Sequence, residues 1–269
     1  MANLNLLLVG ATGGMGHEVI AAVKHSGKHK IIGGIIAAED LALHTQIAGI
    51  EFPLTDKWNK QYSAANVIVD FSSLAGAKVA LSIAAEQKIP ALICSTGLDA
   101  SIDEYLAGAS SVVPVLQANN TSLGIAVMHK LLKLSCEILD ESFDIEISEI
   151  HHNRKKDAPS GTALALGKTI VEALNAKATT KQDFDSRKKI GRTGNATTRC
   201  PGELGIQAIR GGNVAGEHTV YFLGEDERLE IRHVATSRRI FANGALRLAE
   251  NLLTIKTPGL YSVPEVLNV

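Results

Sequence analysis

The sequence predicts an α/β fold: a doubly wound parallel sheet, plus a second α+β domain built on an open mixed sheet. Three observations point there. Apolar strand-like runs alternate with helical patterns up to Asn120. A glycine loop follows the first of those runs. Beyond Asn120 the runs alternate with period two, and three of them follow one another without an intervening helix.

Each element has its own signal. "LNLLLVG" (4–10) is continuously apolar, as suits a parallel strand covered on both faces. "GHEVIAAVKHSG" (16–27) sets Val19, Ile20 and Val23 at helical spacing and stops at Gly27. Strands follow at "KIIGGIIA" (30–37) and "NVIVDFS" (66–72), then an alanine-rich helix at 75–86. Two more strands, "IPALICSTG" (89–97) and "SVVPVLQAN" (111–119), complete this half, and such alternation requires right-handed crossovers. "LGIAVMHKLLKLSCEIL" (123–139) reads as a helix. "FDIEISEIHH" (143–152) is a half-buried strand with Phe143, Ile145, Ile147, Glu149 and His151 on one face. A helix over 161–176 and a polar, exposed loop over 177–199 come next. Three strands, "LGIQAIRG", "EHTVYFLG" and "ERLEIRHVA", precede an amphipathic helix at 238–253 that is expected to return to the first domain.

Composition narrows the function classes. At 269 residues, with 45% hydrophobic and 20% charged, the chain can bury two ordinary cores. Lys plus Arg total 27 against 28 Asp plus Glu, which argues against a nucleic-acid surface. Cys94, Cys136 and Cys200 are far apart and form no CxxC pair, so neither a disulfide framework nor a zinc site is expected. The N-terminal apolar run is too short for a membrane span and lacks signal-peptide features. The expectation is a soluble, cytoplasmic protein with no membrane partner.

"GATGGMG" (10–16) lies between the first strand and the first helix, the setting that gives a glycine fingerprint meaning and makes the sheet Rossmann-like. Gly10 allows the tight turn, Gly13 or Gly14 lets a pyrophosphate approach the backbone, and Gly16 seats the helix on the strand. An acid at the end of the second strand would take ribose hydroxyls, and an arginine there an extra phosphate. The sequence has Ala37 and Ala38 there, with Glu39 and Asp40 just beyond, so NADH and NADPH both remain open.

The stretch from His151 to Thr162 concentrates proton-handling and anion-binding groups. His151, at a strand end, can give or take a proton near neutrality. Lys155 can supply a fixed positive charge or a proton. Ser160 is a candidate N-cap, which would leave the N–H groups of Gly161 and Thr162 as anion donors. The alternative is a solvated basic loop with ordinary helix capping. No metal is expected, because His151 and His152 point to opposite faces and no HExxH exists.

"SEIHHNRKKDAPSGTAL" (148–164) resembles the signature of the 4-hydroxy-tetrahydrodipicolinate reductase (dihydrodipicolinate reductase) family, with "STG" (95–97), "ANNTSLGIAVM" (118–128), "GEHTVYF" (216–222) and "FANGALR" (241–247) in the family's order. The resemblance implies reduction of a small cyclic dicarboxylate on the route to diaminopimelate and lysine. It implies that His151 and Lys155 are catalytic and that His152, Gly161 and Thr162 hold substrate. Gly10, Ala11, Thr12, Gly13, Gly14 and Met15 would line the pyrophosphate. Cys94, Ser95, Thr96, Ala118, Asn119, Asn120 and Thr121 would pass near the nicotinamide. Glu149, Arg154 and Lys156 take supporting or solvated roles. The implied organisation is a discontinuous dinucleotide-binding domain (1–121 plus 240–269) and a substrate and oligomerisation domain (122–239), assembled as a homotetramer through the second sheet. The family's acid–Arg pair after the second strand is Ala37–Ala38 here, and its loop arginine is Gly14. Two other readings remain: a different two-domain dehydrogenase, which would not need His151, Lys155 and the Ser-Gly-Thr turn together, and a dinucleotide-sensing regulator, for which no helix-turn-helix or basic helix is visible.

Overall fold

The computed structural model describes residues 3–43, 50–195 and 198–268. The chain divides into two compact units, Met1–Ser122 with Arg238–Val269, and Leu123–Ser237. The elements run β1 (Asn5–Val9), α1 (Gly14–Ser26), β2 (Lys30–Ile35), α2 (Ala38–Leu43), β3 (Leu54–Thr55), β4 (Val67–Asp70), α3 (Leu74–Gln87), β5 (Ala91–Ile93), α4 (Asp103–Ser110) and β6 (Pro114–Gln117). The second unit contributes α5 (Leu123–Ile138), β7 (Asp144–His151), α6 (Gly161–Asn175), α7 (Phe184–Arg187), β8 (Lys188–Ile190), β9 (Leu204–Arg210), β10 (Gly216–Leu223) and β11 (Arg228–Ala235). The chain closes with α8 (Arg239–Leu252), β12 (Gly259–Tyr261) and α9 (Val263–Leu267) in the first unit.

The first unit is a seven-stranded sheet in the order β12-β6-β5-β4-β1-β2-β3, with every pair parallel. Strand order reverses at β1, which pairs with β2 on one side and β4 on the other; ligands of such sheets sit beyond the strand ends at that point. The apolar run of β1 is explained by its two covered faces. Leu6 and Leu8 join a core with Val19 of α1 and Leu248 of α8. Leu7 and Val9 join the opposite core with Ala80 and Leu81 of α3 and Leu106 of α4. Gly27 ends α1 in the left-handed conformation, as its sequence position predicts.

The predicted strands at 89–97 and 111–119 contract to β5 and β6, because pairing with neighbours, not apolar content, sets strand length. Cys94–Thr96 and Ala118–Thr121 therefore lie on the loops that follow these strands. The short elements α2, β3, α4, β12 and α9 went unpredicted, since two to eight residues carry little period.

The second unit is a mixed five-stranded sheet in the order β11-β10-β7-β9-β8. The central strand β7 is antiparallel to β10 and parallel to β9. Ile145 and Ile147 of β7 pack with Ile125 and Leu132 of α5 and Leu166 and Ile170 of α6. The expected loop at 177–199 is a correction: it contains α7 and the edge strand β8. Two tertiary contacts order it. β8 pairs parallel with β9, and the Phe184 ring fills the space where Gly167 lacks a side chain. Residues 196–197 of that segment lie outside the described residues.

Gly16 gives the packing of α1 a sharp test. A Cβ at this position would stand 2.4 Å from the Gly10 carbonyl oxygen and 2.5 Å from that of Ala11. Both obstacles are backbone. Gly16→Ala is expected to destabilise the chain by about 1–3 kcal/mol, read as a lower urea midpoint. An unchanged midpoint would show that α1 can lift off β1 without cost.

Candidate active site

The glycine loop is shaped by backbone contacts. Gly10 has φ +83°, and its N–H donates to the Ile35 carbonyl at 2.9 Å. A Cβ on Gly10 would meet the Phe71 carbonyl at 2.6 Å, so no side chain fits. Gly13 is the N-cap of α1, with no side-chain capping bond and no acid in the first turn. Gly13 and Gly14 are exposed, Ala11 is buried, and Thr12 and Met15 are half-buried. The helix start thus presents unscreened N–H groups and a positive dipole end over open space. The Arg238 guanidinium stands nearby, with Nη1 3.8 Å from where a Gly14 Cβ would be. Glu39 and Asp40 fall in the first turn of α2.

The loops after β4 and β5 are tied by Asp70, which is fully buried. Its carboxylate accepts from the Ser95 hydroxyl at 2.6 Å and from the Ser72 N–H at 3.1 Å. The Ser72 N–H also donates to Ser95 Oγ at 3.0 Å. Burial pushes the Asp70 carboxyl up against the pull of these bonds. Cys94 is buried, and burial raises its thiol well above the usual range, so it is an inert core group. Ala118 and Thr121 are also buried; the Thr121 hydroxyl donates to the Phe241 carbonyl at 2.7 Å. Thr96 and Asn119 are exposed and Asn120 half-buried. Cys94, Ser95, Ala118 and Thr121 therefore shape the loops, as does Asn120, whose Oδ1 accepts the Ser122 N–H at 2.9 Å, while Thr96 and Asn119 present side chains.

In the second unit the site is built at the end of β7. Its inward stripe runs Ile145, Ile147, Glu149, His151, apolar at one end and ionisable at the other. Glu149 is completely buried, which excludes the solvated role and leaves the supporting one of the two expected for it. Its Oε2 lies 2.5 Å from His151 Nδ1. Arg210 grips it with two bonds, Nη1 to Oε2 at 2.7 Å and Nη2 to Oε1 at 2.8 Å. Oε1 also accepts the Ser160 N–H at 3.0 Å. Burial alone would raise this carboxyl, but the bonds from His151 and Arg210 prevail and hold it down at about 2.

Ser160 is the N-cap of α6, and its Oγ accepts the Ala163 N–H at 3.2 Å. Gly161 is exposed, with nothing within 4 Å of the Cβ it lacks, and Thr162 is half-buried. No acid occupies the first turn. Lys155 pairs with Asp157 at 2.9 Å, and the Arg210 Nη2 donates to the Asp157 carbonyl at 2.6 Å. The His152 N–H donates to the Val214 carbonyl at 2.9 Å, which anchors the turn after β7. Among the described residues no cluster of three metal-ligating side chains occurs.

Two further residues border His151. The His218 ring lies edge-on to it, centroids 5.2 Å apart, and His218 Nε2 is 3.1 Å from Ser160 Oγ. Burial, reinforced by the neighbouring His151, pushes His218 down to about 3, so it stays neutral. Gly216 faces His151 across the β10–β7 pair; a Cβ there would sit 3.1 Å from His151 Nε2. Sequence reasoning placed Glu149 on the His151 face yet left it between a supporting and a solvated role. It missed Arg210, His218, Gly216 and Arg238, which are distant in sequence. The alternation of β7 was the one available signal.

Comparison with known proteins agrees with this architecture. The family model described as dihydrodipicolinate reductase, N-terminus, matches residues 4–121, and that for the C-terminus matches 124–267. The 4-hydroxy-tetrahydrodipicolinate reductase of Anaeromyxobacter sp. (strain Fw109-5) is 36% identical over 270 residues, spanning 99% of this chain and 98% of the relative. That of Campylobacter fetus subsp. fetus is 38% identical over 260 residues, spanning 97% of each. The dipicolinate-bound dihydrodipicolinate reductase from Paenisporosarcina sp. TG-14 shares the fold, with TM-score 0.75 and 20% identity over 98% of this chain and 99% of that one.

Two expectations follow from the geometry. His218 ordinarily titrates at 6.5 and Glu149 at 4.5, but in the folded chain they do so at about 3 and about 2. In both cases the unfolded chain binds the proton first, so the His218 contribution is full above pH 6.5 and is lost as pH falls toward 3, and the Glu149 contribution is full above pH 4.5 and is lost toward 2. The Tm should fall on acidification below pH 6.5, and His218→Asn should flatten the fall between pH 6.5 and 4.5; an unaltered slope would contradict the burial of a neutral His218. Gly216→Ala should crowd His151 Nε2 and lower kcat/KM by about tenfold or more, and should lower the Tm as well, because Gly216 sits at φ +154°. Full activity would show that this face of the ring is not used.

Proposed function

Because this chain belongs to the dihydrodipicolinate reductase family, we propose that it reduces 4-hydroxy-tetrahydrodipicolinate to tetrahydrodipicolinate, a step toward diaminopimelate and lysine. Family membership makes it an NAD(P)H-dependent oxidoreductase. The single observation that carries the site assignment is one buried carboxylate, Glu149, that joins the His151 imidazole to the first turn of α6 through Ser160.

The glycine loop fits a dinucleotide: Gly10 leaves no room for a side chain, and Gly13 and Gly14 are exposed at an uncapped helix start. Gly10 to Met15 would hold the pyrophosphate by backbone N–H groups, with Arg238 adding positive charge beside Gly14. Thr96 and Asn119 would present polar groups from the loops after β5 and β6. The bound reduced nicotinamide supplies a hydride. Ala37 and Ala38 offer neither an acid nor an arginine after β2, so both NADH and NADPH are taken as donors.

The substrate is a small dicarboxylate. Gly161 and Thr162 bind one carboxylate at the start of α6, where the dipole favours an anion. His152 and Lys155 serve the anionic substrate as well. Lys155 rests on Asp157, an exchangeable partner that a substrate carboxylate can replace. His151 donates the proton that completes the reduction, and the Lys155 charge stabilises the electron-rich intermediate state or shares in proton delivery. In this reading residues 1–121 plus 240–269 bind the dinucleotide, and 122–239 bind substrate. The second sheet also builds a cytoplasmic homotetramer, consistent with the exposed apolar side chains of Ile209 on β9 and Val234 on β11. Among the described residues no helix is long and apolar enough to cross a membrane.

The deciding experiment follows NADH and NADPH oxidation with freshly generated hydroxy-tetrahydrodipicolinate. Turnover with at least one is expected, and the ratio of rates measures cofactor preference; no turnover with either would end the proposal. His151→Gln should lower kcat by about 10²–10⁴ with little change in cofactor KM. An unchanged kcat would remove His151 from proton transfer.

A further inference from the structure

We propose that Glu149 is a positioning residue that makes Nε2 of His151 the proton-delivering atom, by keeping the imidazole proton on Nδ1. The inference deepens the reading above and rests on it, since it presumes that His151 is the acid.

The argument is one of donors and acceptors. Glu149 is completely buried and is bound by three donor groups besides His151: two from the Arg210 guanidinium and the Ser160 N–H. An ionised carboxylate can only accept hydrogen bonds. At 2.5 Å from Oε2, His151 Nδ1 must therefore carry a hydrogen whether the ring is charged or neutral. The other nitrogen, Nε2, faces Gly216, the position where a side chain would close on it. Glu149 and His218 border the ring; behind them Arg210 binds Glu149, Lys155 pairs with Asp157, and Lys155 and His233 act on His218. Of these only Glu149 touches Nδ1, and His218 stays neutral.

In the proton step the Nε2–H bond of the imidazolium breaks and its electron pair stays on Nε2. The proton joins the electron pair left on the substrate ring by hydride addition; the substrate is reduced and the nicotinamide oxidised. The ring is left as the Nδ1–H form, which needs an acceptor at Nδ1, and Glu149 supplies it. A Glu149 that served only as an anchor for Arg210 would not need this contact.

Glu149→Gln alters the Nδ1 contact and one of the two Arg210 bonds together, so the ring tautomer, which anchoring of Arg210 does not set, is the deciding readout. Oε1 accepts from both Ser160 and Arg210, so the amide oxygen belongs there. Its NH₂ then faces both His151 Nδ1 and Arg210 Nη1, and drives the neutral ring to the Nε2–H form. In the Ser-His-Asp triad the same kind of swap lowers kcat by roughly 10⁴. The experiment is ¹⁵N NMR of histidine-labelled protein at a pH where His151 is neutral, with its signals assigned by their loss in His151→Gln. The expected result is an Nδ1–H ring in the wild type and an Nε2–H ring in Glu149→Gln. Kinetics of Glu149→Gln should show kcat down by about 10²–10⁴ with cofactor KM nearly unchanged. A wild-type neutral ring carrying its proton on Nε2 overturns the proposal, and this measurement needs no variant to fold with Glu149 replaced. A folded Glu149→Gln with wild-type kcat also overturns it. Wild-type kcat in His151→Gln would instead strike the acid role, while the tautomer result would still report the Glu149 contact by itself.

Discussion

One carboxylate, Glu149, organises the second unit's chemistry. Moving an ion of this size out of water costs several kcal/mol, and it is tolerated only when its lone pairs are filled. Here the donors come from three places in the chain: His151 two residues on, Ser160 at the start of α6, and Arg210 at the end of β9. Each donor fixes a different element. The imidazole is locked at the strand end, the helix start is pulled to the sheet, and the β9 terminus is held beside β7. Removing one partner of such a buried pair typically costs about 3–5 kcal/mol, so stability and site geometry share one interaction.

The two units solve their recognition problems in different ways. The first uses backbone. Gly10 and Gly16 are small because carbonyl groups stand where side chains would be, and Gly13 and Gly14 leave the helix start exposed. Backbone N–H groups are common to every residue, so a loop suited to a pyrophosphate leaves only its glycines as a mark in sequence. The second unit uses side chains, and their positions depend on strand register. The pairing of Glu217 with Ile150 and of His151 with Arg210 brings Gly216, His218 and Arg210 to the β7 terminus. A shift of one residue would turn His151 to the other face.

The buried histidine pair shows how the site separates protonation states. His151 and His218 lie edge to face, yet only His151 has an anionic partner at Nδ1. His218 is buried, touches the Ser160 hydroxyl, and stays neutral chiefly because burial disfavours its charged form, with the neighbouring His151 adding to the effect. Two imidazoles in one pocket thus take different tasks from their surroundings alone. Ser160 links them, since its N–H serves Glu149 while its hydroxyl meets His218 and caps α6.

Much of this was legible in the sequence. The apolar runs determine the parallel sheet because a strand covered on both faces has no polar positions. The glycine spacing determines the loop, and the His-Lys-Ser-Gly-Thr order determines which residues gather between β7 and α6. The alternation of 143–152 even put Glu149 and His151 on one face. What only the tertiary structure decided is that this face is closed at Glu149 and that Arg210 reaches it, because Arg210 stands 61 positions away. It also decided that 184–190 is ordered, since Phe184 needs Gly167 and β8 needs β9. Local pattern reports what a residue prefers; whether a carboxylate is solvated or buried depends on which distant donors the fold brings within hydrogen-bond reach.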